Sequence, residues 1–229
     1  MYYWYDFTGY GLIIIGTIIT IAAQLYVNSQ LSKYKKVENK KNLSGLEVAR
    51  KILDANGLED IYVTETTGIF SDHYDSNRKV VRLSKDVFHG TSIASVAVAA
   101  HECGHAIQDK EGYIFIKLRG FIFPMVNIAS NFGYIVIMIG LLFSINNLAW
   151  LGIGLLLFIL LFQLITLPVE FNASARAKEL LKTQSVLDDT ELEGSGKMLR
   201  AAAFTYVASL ATTLLEILRM VMIVSNHDD

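Results

Sequence analysis

Long apolar stretches alternate with polar ones along this chain of 229 residues. The first apolar stretch, residues 10–27, carries no charge and is long enough for one thin or slightly tilted membrane span. Aromatic residues, but no Lys or Arg, precede it, which is typical of a permanent anchor rather than of a cleaved secretory signal. We therefore expect residues 1–30 to form an N-terminal transmembrane anchor.

The longest apolar stretch, residues 121–169, contains 49 residues without a charged side chain. One helix of that length would be about 74 Å long, more than twice a hydrocarbon core of about 30 Å. The stretch is therefore predicted to turn back at Asn146 and Asn147 and to cross twice, at about 125–144 and 148–167. Pro124 and Pro168 stand near its ends, where prolines are expected to limit the helices.

The last apolar stretch, residues 201–224, is also long enough to span a membrane. It contains Glu216 and Arg219, which are three positions apart. Such residues share one face of a helix and can neutralise each other there. Residues 201–229 are therefore predicted to form a C-terminal transmembrane helix with a short tail.

Two polar segments, residues 31–120 and 170–200, separate these spans. In the first, Ser44 and Glu47 form a capping box at the start of a short helix. β-rich runs follow, and the turn-forming residues 75–77 before the run at 79–84 predict a hairpin. We expect the strand at 79–84 to be a sheet edge that an extended substrate can join. Small side chains at 91–108 predict a buried helix.

Composition and charge exclude several classes of protein. The chain is 52% hydrophobic and 18% charged with a net charge of −2, so it is neither disordered nor a basic nucleic-acid binder. Its single cysteine, Cys103, excludes an intrachain disulfide. Apart from Arg219, every Lys and Arg lies in 28–120 or 171–200. Both polar segments are therefore predicted to be cytoplasmic, with both chain ends outside.

The chemistry is concentrated in the sequence His101-Glu102-Cys103-Gly104-His105, which fits the pattern H-E-x-x-H inside a predicted helix. Residues four apart share a helical face, so the two imidazoles can bind one Zn²⁺ ion while Glu102 reaches a water on that metal. Cys103 points away from the ligands and is expected to be a core side chain. Gly104 is expected to let another element approach closely.

A catalytic zinc site needs a third protein ligand, and Glu170 is the best candidate. It is the first charged residue after the 49-residue apolar stretch. Two crossings return the chain to the side that it left, which places Glu170 beside His101 and His105. The alternative is that Glu170 is a carboxylate favoured in the first helical turn after Pro168.

The residues HECGHAIQ, a charge-free double span and then PVEFNASARA resemble the YugP-type family of membrane neutral zinc metallopeptidases. The upstream DHYDSNRKVVRLS is similar to that family too, so the resemblance covers nearly the whole chain. More distantly, the chain resembles HtpX-type and CaaX-prenyl-protease-type gluzincins. In those relatives an Asp follows the Glu ligand by four residues, whereas this sequence has Ser174 there, so the contact to the ligands must differ. The resemblance implies a fold, a metal and a reaction class but no substrate.

Three side chains are candidates for stabilising an oxyanion: His73, Arg176 and Tyr206. His73 lies in the hairpin region, where a surface histidine without a catalytic role is the alternative. Nothing in the sequence chooses between the three.

These patterns predict a mainly α integral membrane protein with about four transmembrane helices and a small α+β zincin-like cytoplasmic module that contains a short β-hairpin. The expected activity is that of a multi-pass zinc metalloendopeptidase in the cell membrane, with one Zn²⁺ per chain, acting on peptides or proteins, membrane proteins among them. Nucleic acid is not an expected partner. One alternative is an intramembrane protease of the site-2 type, which would need a bulkier apolar run around His101. The other is a zinc-binding membrane scaffold without catalytic activity.

Overall fold

The computed structural model describes residues 2–68 and 71–227. Its elements are, in chain order, α1 (Tyr2–Tyr34), α2 (Gly45–Ala55), β1 (Tyr62–Thr66), β2 (His73–Asp75), β3 (Val80–Ser84), α3 (Lys85–Phe88), α4 (Ile93–Lys110), α5 (Ile114–Leu142), α6 (Asn146–Thr183) and α7 (Asp189–His227). The chain is mainly helical, as the sequence predicts. The chain divides into two compact units. The apolar unit comprises the described residues of Met1–Gln24, Lys117–Leu167 and Thr205–Asp229, and the polar unit comprises Leu25–Ile116 and Pro168–Phe204.

Within the described residues, four helices are long and apolar enough to cross a membrane: α1, α5, α6 and α7. Helices α5 and α6 are joined by a turn at residues 143–145, just before the predicted Asn146. Ser144 adopts a positive φ of 54° there. The two helices pack closely, because a Cβ added at Gly140 would lie 2.4 Å from the backbone nitrogen of Ala149. Glu216 and Arg219 form the predicted ion pair on α7, with Nη1 of Arg219 3.1 Å from Oε1 of Glu216.

The predicted role of the two prolines is wrong. Pro124 lies inside α5 and Pro168 lies inside α6, and neither limits its helix. Each proline removes one backbone hydrogen-bond donor. This loss breaks an isolated helix readily, but a helix that is packed on both sides of the proline tolerates it. Helix α6 therefore continues beyond the apolar stretch and carries Glu170.

The polar unit is built around α2 and α4, whose small and branched side chains share one hydrophobic core. Helix α2 begins with the predicted capping box, in which the Ser44 hydroxyl accepts from the backbone N–H of Glu47. Val48, Ala49, Ile52 and Leu53 form its buried face. Helix α4 begins after Ser92, whose hydroxyl accepts from the backbone N–H of Ser95. Most residues of α4 are buried, which fits a core helix.

A three-stranded sheet with the order β1-β3-β2 packs onto this core. β2 and β3 form the predicted antiparallel hairpin, with His73 opposite Arg82. β1 pairs in parallel with β3, with Tyr62 opposite Val80. The expectation that residues 79–84 form a sheet edge is therefore wrong, because β3 is the central strand. A hairpin pattern is local, whereas the parallel partner of β3 comes from an earlier segment.

Candidate metal centre

His101 and His105 lie one helical turn apart on α4, and their ring centroids are 4.8 Å apart. Helix α4 is fixed at its start by the Ser92 cap and along its length by the core of the polar unit. Cys103 lies on the core side of the helix, fully buried, with Sγ 3.7 Å from the carbonyl oxygen of Ala49. Burial raises the pKa of the Cys103 thiol. The predicted core role of Cys103 is thus confirmed.

Helix α6 approaches α4 at Gly104, as expected for this glycine. A Cβ at Gly104 would lie 2.9 Å from the carbonyl oxygen of Ala173 on α6. Only a glycine allows the two backbones to come this close. The contact brings the turns of α6 on either side of Ala173, which carry Glu170 and Ser174, next to the histidines.

The carboxylate of Glu170 meets both imidazoles. Its Oε2 lies 3.2 Å from Nε2 of His101 and 3.7 Å from Nε2 of His105. Two ligand atoms bound tetrahedrally to one Zn²⁺ are separated by about 3.3–3.4 Å, given zinc–ligand distances near 2.0–2.1 Å. Within the described residues, these three form the only group of His, Cys, Asp and Glu side chains gathered closely enough to bind a metal. Two imidazoles and one carboxylate fit the ligand set of a catalytic zinc site.

The charges within this group are coupled. Burial alone would raise the pKa of Glu170, but hydrogen bonds from His101 and His105 outweigh it and hold that pKa well below its usual range. For His105, burial alone would lower the pKa, whereas the hydrogen bond to Glu170 and the nearby Glu102 carboxylate raise it above its ordinary value. Glu170 is therefore anionic at neutral pH, the form in which a carboxylate binds a metal.

Ser174 lies one turn beyond Glu170, and its hydroxyl is 3.3 Å from Nδ1 of His101. A proton on Nδ1 that points to this oxygen makes Nε2 the nitrogen that gives up its proton when the ring binds a metal. Ser174 therefore contacts a candidate ligand histidine, at the position where the more distant relatives have an Asp.

Gln108 contacts a candidate ligand and was not predicted from the sequence. It is completely buried, and its Oε1 lies 2.9 Å from Nδ1 of His105. Its Nε2 donates to the carbonyl oxygen of Val169 at 2.8 Å and to Oδ1 of Asn172 at 2.9 Å. Because both amide hydrogens are used in this way, Oε1 must face His105 and accept from its Nδ1–H. The ring is thereby held with Nε2 facing Glu170, so that this nitrogen can bind a metal once it has lost its proton. The only sequence signal was the spacing of three residues from His105.

Arg176, one candidate for oxyanion stabilisation, extends this hydrogen-bond chain toward the surface. Its Nε donates to Oδ1 of Asn172 at 2.8 Å, and its Nη2 lies 2.6 Å from Oε2 of Glu111. The chain from Glu111 through Arg176, Asn172 and Gln108 ends at His105.

Glu102 lies beside His101 on α4 and is 8% exposed. Across the described part of the chain, no side chain or backbone group donates a hydrogen bond to its carboxylate. This acceptor next to the candidate ligands can take a proton from a bound water.

The other two candidates lie outside the group of three ligands. His73 is exposed on β2, and its Nδ1 lies 2.7 Å from the carbonyl oxygen of Ser71. Since a carbonyl only accepts, Nδ1 carries a proton in this contact. Tyr206 is 39% exposed on α7, within the apolar unit.

Comparison with known proteins gives a consistent result. A family model described as "putative neutral zinc metallopeptidase" matches residues 10–225. The chain is 48% identical over 207 residues to the "putative membrane protease YugP" of Bacillus subtilis (strain 168), which covers 90% of this chain and 92% of that relative. No solved structure matches the chain. The resemblance stated from the sequence is confirmed.

Proposed function

The chain belongs to the family of "putative neutral zinc metallopeptidases", and from this premise we propose that it is a zinc metalloendopeptidase of the cell membrane. The observation that carries the proposal is the gathering of His101, His105 and Glu170 at the separations of zinc ligands, with Glu102 unpaired beside them. Each ligand comes from a rigid helix rather than a loop, which suits a preformed metal site.

His101, His105 and Glu170 would hold the metal, one ion per chain. A Zn²⁺ ion bound by three protein ligands lowers the pKa of its water to about 7 and polarises a carbonyl group. Gln108 and Ser174 orient the two imidazoles so that each presents Nε2. Their contribution is to fix the ligands before the substrate arrives.

Glu102 acts as the general base and then as the general acid. It accepts a proton from the water whose oxygen adds to the peptide carbonyl carbon, and it delivers that proton to the amine nitrogen as the C–N bond breaks. The Glu102 carboxylate accepts no hydrogen bond within the described residues, so it is available as a proton acceptor. Arg176 is tied to Asn172 and Glu111, which disfavours it for stabilising the oxyanion.

The substrate is expected to bind in extended form along an outer strand of the sheet. Of the two outer strands, β2 packs against α4, which carries the histidines. The Tyr74 hydroxyl of β2 donates to Oδ2 of Asp109 on α4 at 2.9 Å. We therefore place substrate pairing at β2 instead of at β3.

The site is proposed to face the cytoplasm, with both chain ends outside. The support is the distribution of Lys and Arg, which lie almost entirely in the two polar segments. An intramembrane protease is less favoured, because α4 is not one of the four candidate spans within the described residues and most of its side chains are small.

A cleavage assay distinguishes the peptidase from a zinc-binding scaffold. Purified wild type should cleave casein or a membrane-protein substrate, and the Glu102→Gln variant should keep its zinc and lose cleavage. If both proteins fail to cleave while both hold zinc, the scaffold is the better account.

A further inference from the structure

A groove with a volume of about 400 Å³ lies within the apolar unit, between α1, α5 and α7. Apolar side chains form much of its wall, but hydroxyl groups and one carboxylate interrupt them. The polar residues that line it are Thr17 and Thr20 on α1, Tyr134 on α5, and Thr212, Thr213 and Glu216 on α7.

The groove lies near the middle of two predicted spans. On α1 its lining runs from Leu12 to Ile21, within the apolar stretch 10–27. On α7 its lining runs from Thr212 to Glu216, at the middle of the stretch 201–224. Polar and ionisable side chains at this depth are energetically expensive and mark a functional surface. A phospholipid head group does not reach the centre of the hydrocarbon core.

The polar groups of the groove are mainly acceptors. The hydroxyls of Thr17, Thr20 and Thr212 each donate to a carbonyl of their own helix at 2.8–3.0 Å, which leaves oxygen lone pairs for an occupant. The hydroxyl oxygen of Thr213 accepts from Nε2 of Gln163 at 2.9 Å. An occupant that offers hydrogen-bond donors therefore complements this wall.

The ion pair between Glu216 and Arg219 also favours a donor at this place, because it keeps 29% and 25% of its side chains exposed. An acyl chain cannot donate to a carboxylate, so lipid tails leave the Glu216 side chain in an unfavourable setting.

We infer that this groove binds a transmembrane segment of another polypeptide, one that presents hydrogen-bond donors near its centre. If the protein is the proposed peptidase, membrane proteins are its substrate class, and this consequence rests on the proposed function. The occupant must be long and apolar to reach this depth and must carry a donor such as a lysine ammonium to meet Glu216 and the threonine oxygens.

Binding can be measured without turnover in the Glu102→Gln protein, reconstituted in phosphatidylcholine vesicles. The probes are two fluorescent poly-leucine peptides of about 21 residues, one with lysine and one with leucine at the central position. We expect the lysine-centred peptide to bind about fivefold or more tightly than the all-leucine peptide. The double variant Thr17→Val with Thr213→Val should weaken this preference, because it removes two hydroxyl oxygens of the groove while Glu216 remains. Thr166→Val should keep it, because Thr166 also donates to its own helix but does not line the groove.

Equal binding of the two peptides, or a preference that the double valine variant leaves unchanged, would overturn the inference. A second copy of the protein is the other candidate occupant, and energy transfer between differently labelled copies tests it. If the same variant abolishes this transfer and the lysine-centred peptide does not reduce it, the groove is assigned to a second copy instead. His101→Ala should leave peptide preference unchanged. A failure of the zinc site and a failure of the groove are therefore separable.

Discussion

Gly104 on α4 lies against the carbonyl oxygen of Ala173 on α6, and a Cβ at Gly104 would approach that oxygen to 2.9 Å. This contact joins the helix that carries both histidines to the helix that carries Glu170. The three ligand atoms can meet only while the two helices stay this close.

Gly104→Ala should separate the helices and weaken the metal site. The added methyl group must displace backbone, so we expect a loss of about 1–3 kcal/mol in the free energy of unfolding and zinc affinity reduced about tenfold. Thermal unfolding and a competition titration with a chromogenic chelator measure the two effects. Gly154→Ala is the matched control, because nothing lies within 4 Å of a Cβ there. Equal zinc affinity in the two variants would show that the close approach does not position Glu170.

Gln108→Leu should lower zinc affinity by about 10–100-fold while the protein stays folded. The substitution preserves volume but removes the acceptor that holds Nδ1 of His105, so the ring loses its fixed orientation. Gln184→Leu serves as the control, since the contacts recorded for Gln184 use its backbone alone. If Gln108→Leu binds zinc like the wild type, Gln108 is only a core residue.

Zinc affinity should fall as the pH is lowered from 8 to 6. The pKa of His105 lies above its ordinary value in the metal-free protein, and the metal requires the neutral ring, so protons compete with zinc from near-neutral pH downward. Below that pKa, each proton that zinc must displace should lower the zinc affinity by up to about tenfold per pH unit. The folding stability of the metal-free protein has the opposite pH dependence. The protonated His105 ring stabilises the fold, and this stabilisation is lost as the pH rises through the raised pKa. Chelator competition at several pH values tests this, and a flat profile would contradict it.

The membrane topology can be tested by labelling single cysteines in a Cys103→Ser background. Asn147→Cys, next to the turn between α5 and α6, should react with a membrane-impermeant thiol reagent on intact cells. Lys178→Cys, an exposed position beyond Glu170 on α6, should react only after the membrane is opened. Labelling at Lys178 from outside would place the polar segments on the opposite face from the one proposed.

The sequence predicts contacts that depend on local spacing, or on the chain crossing twice and returning to the side that it left. His101 and His105 share a helical face because they are four apart. Glu170 was expected beside them because a charge-free stretch too long for one span must come back, and it lies there. The ion pair of Glu216 and Arg219 followed from their separation of three positions.

Residues whose role depends on contacts between distant segments were not predictable. Gln108 acts on His105 only because α6 supplies Val169 and Asn172 as acceptors for its amide. The central place of β3 results from parallel pairing with β1, which no local pattern signals. Pro168 does not end its helix, because α6 continues into the packed core of the polar unit.

The zinc content of Glu170→Ala, set beside that of Glu179→Ala, tests the central claim most directly. Glu179 is an exposed carboxylate on the same helix, so its removal changes the charge equally without touching the site. By elemental analysis we expect about one zinc per chain in the wild type and in Glu179→Ala, and clearly less in Glu170→Ala. A full zinc content in Glu170→Ala, with cleavage equal to that of the wild type, would contradict the account.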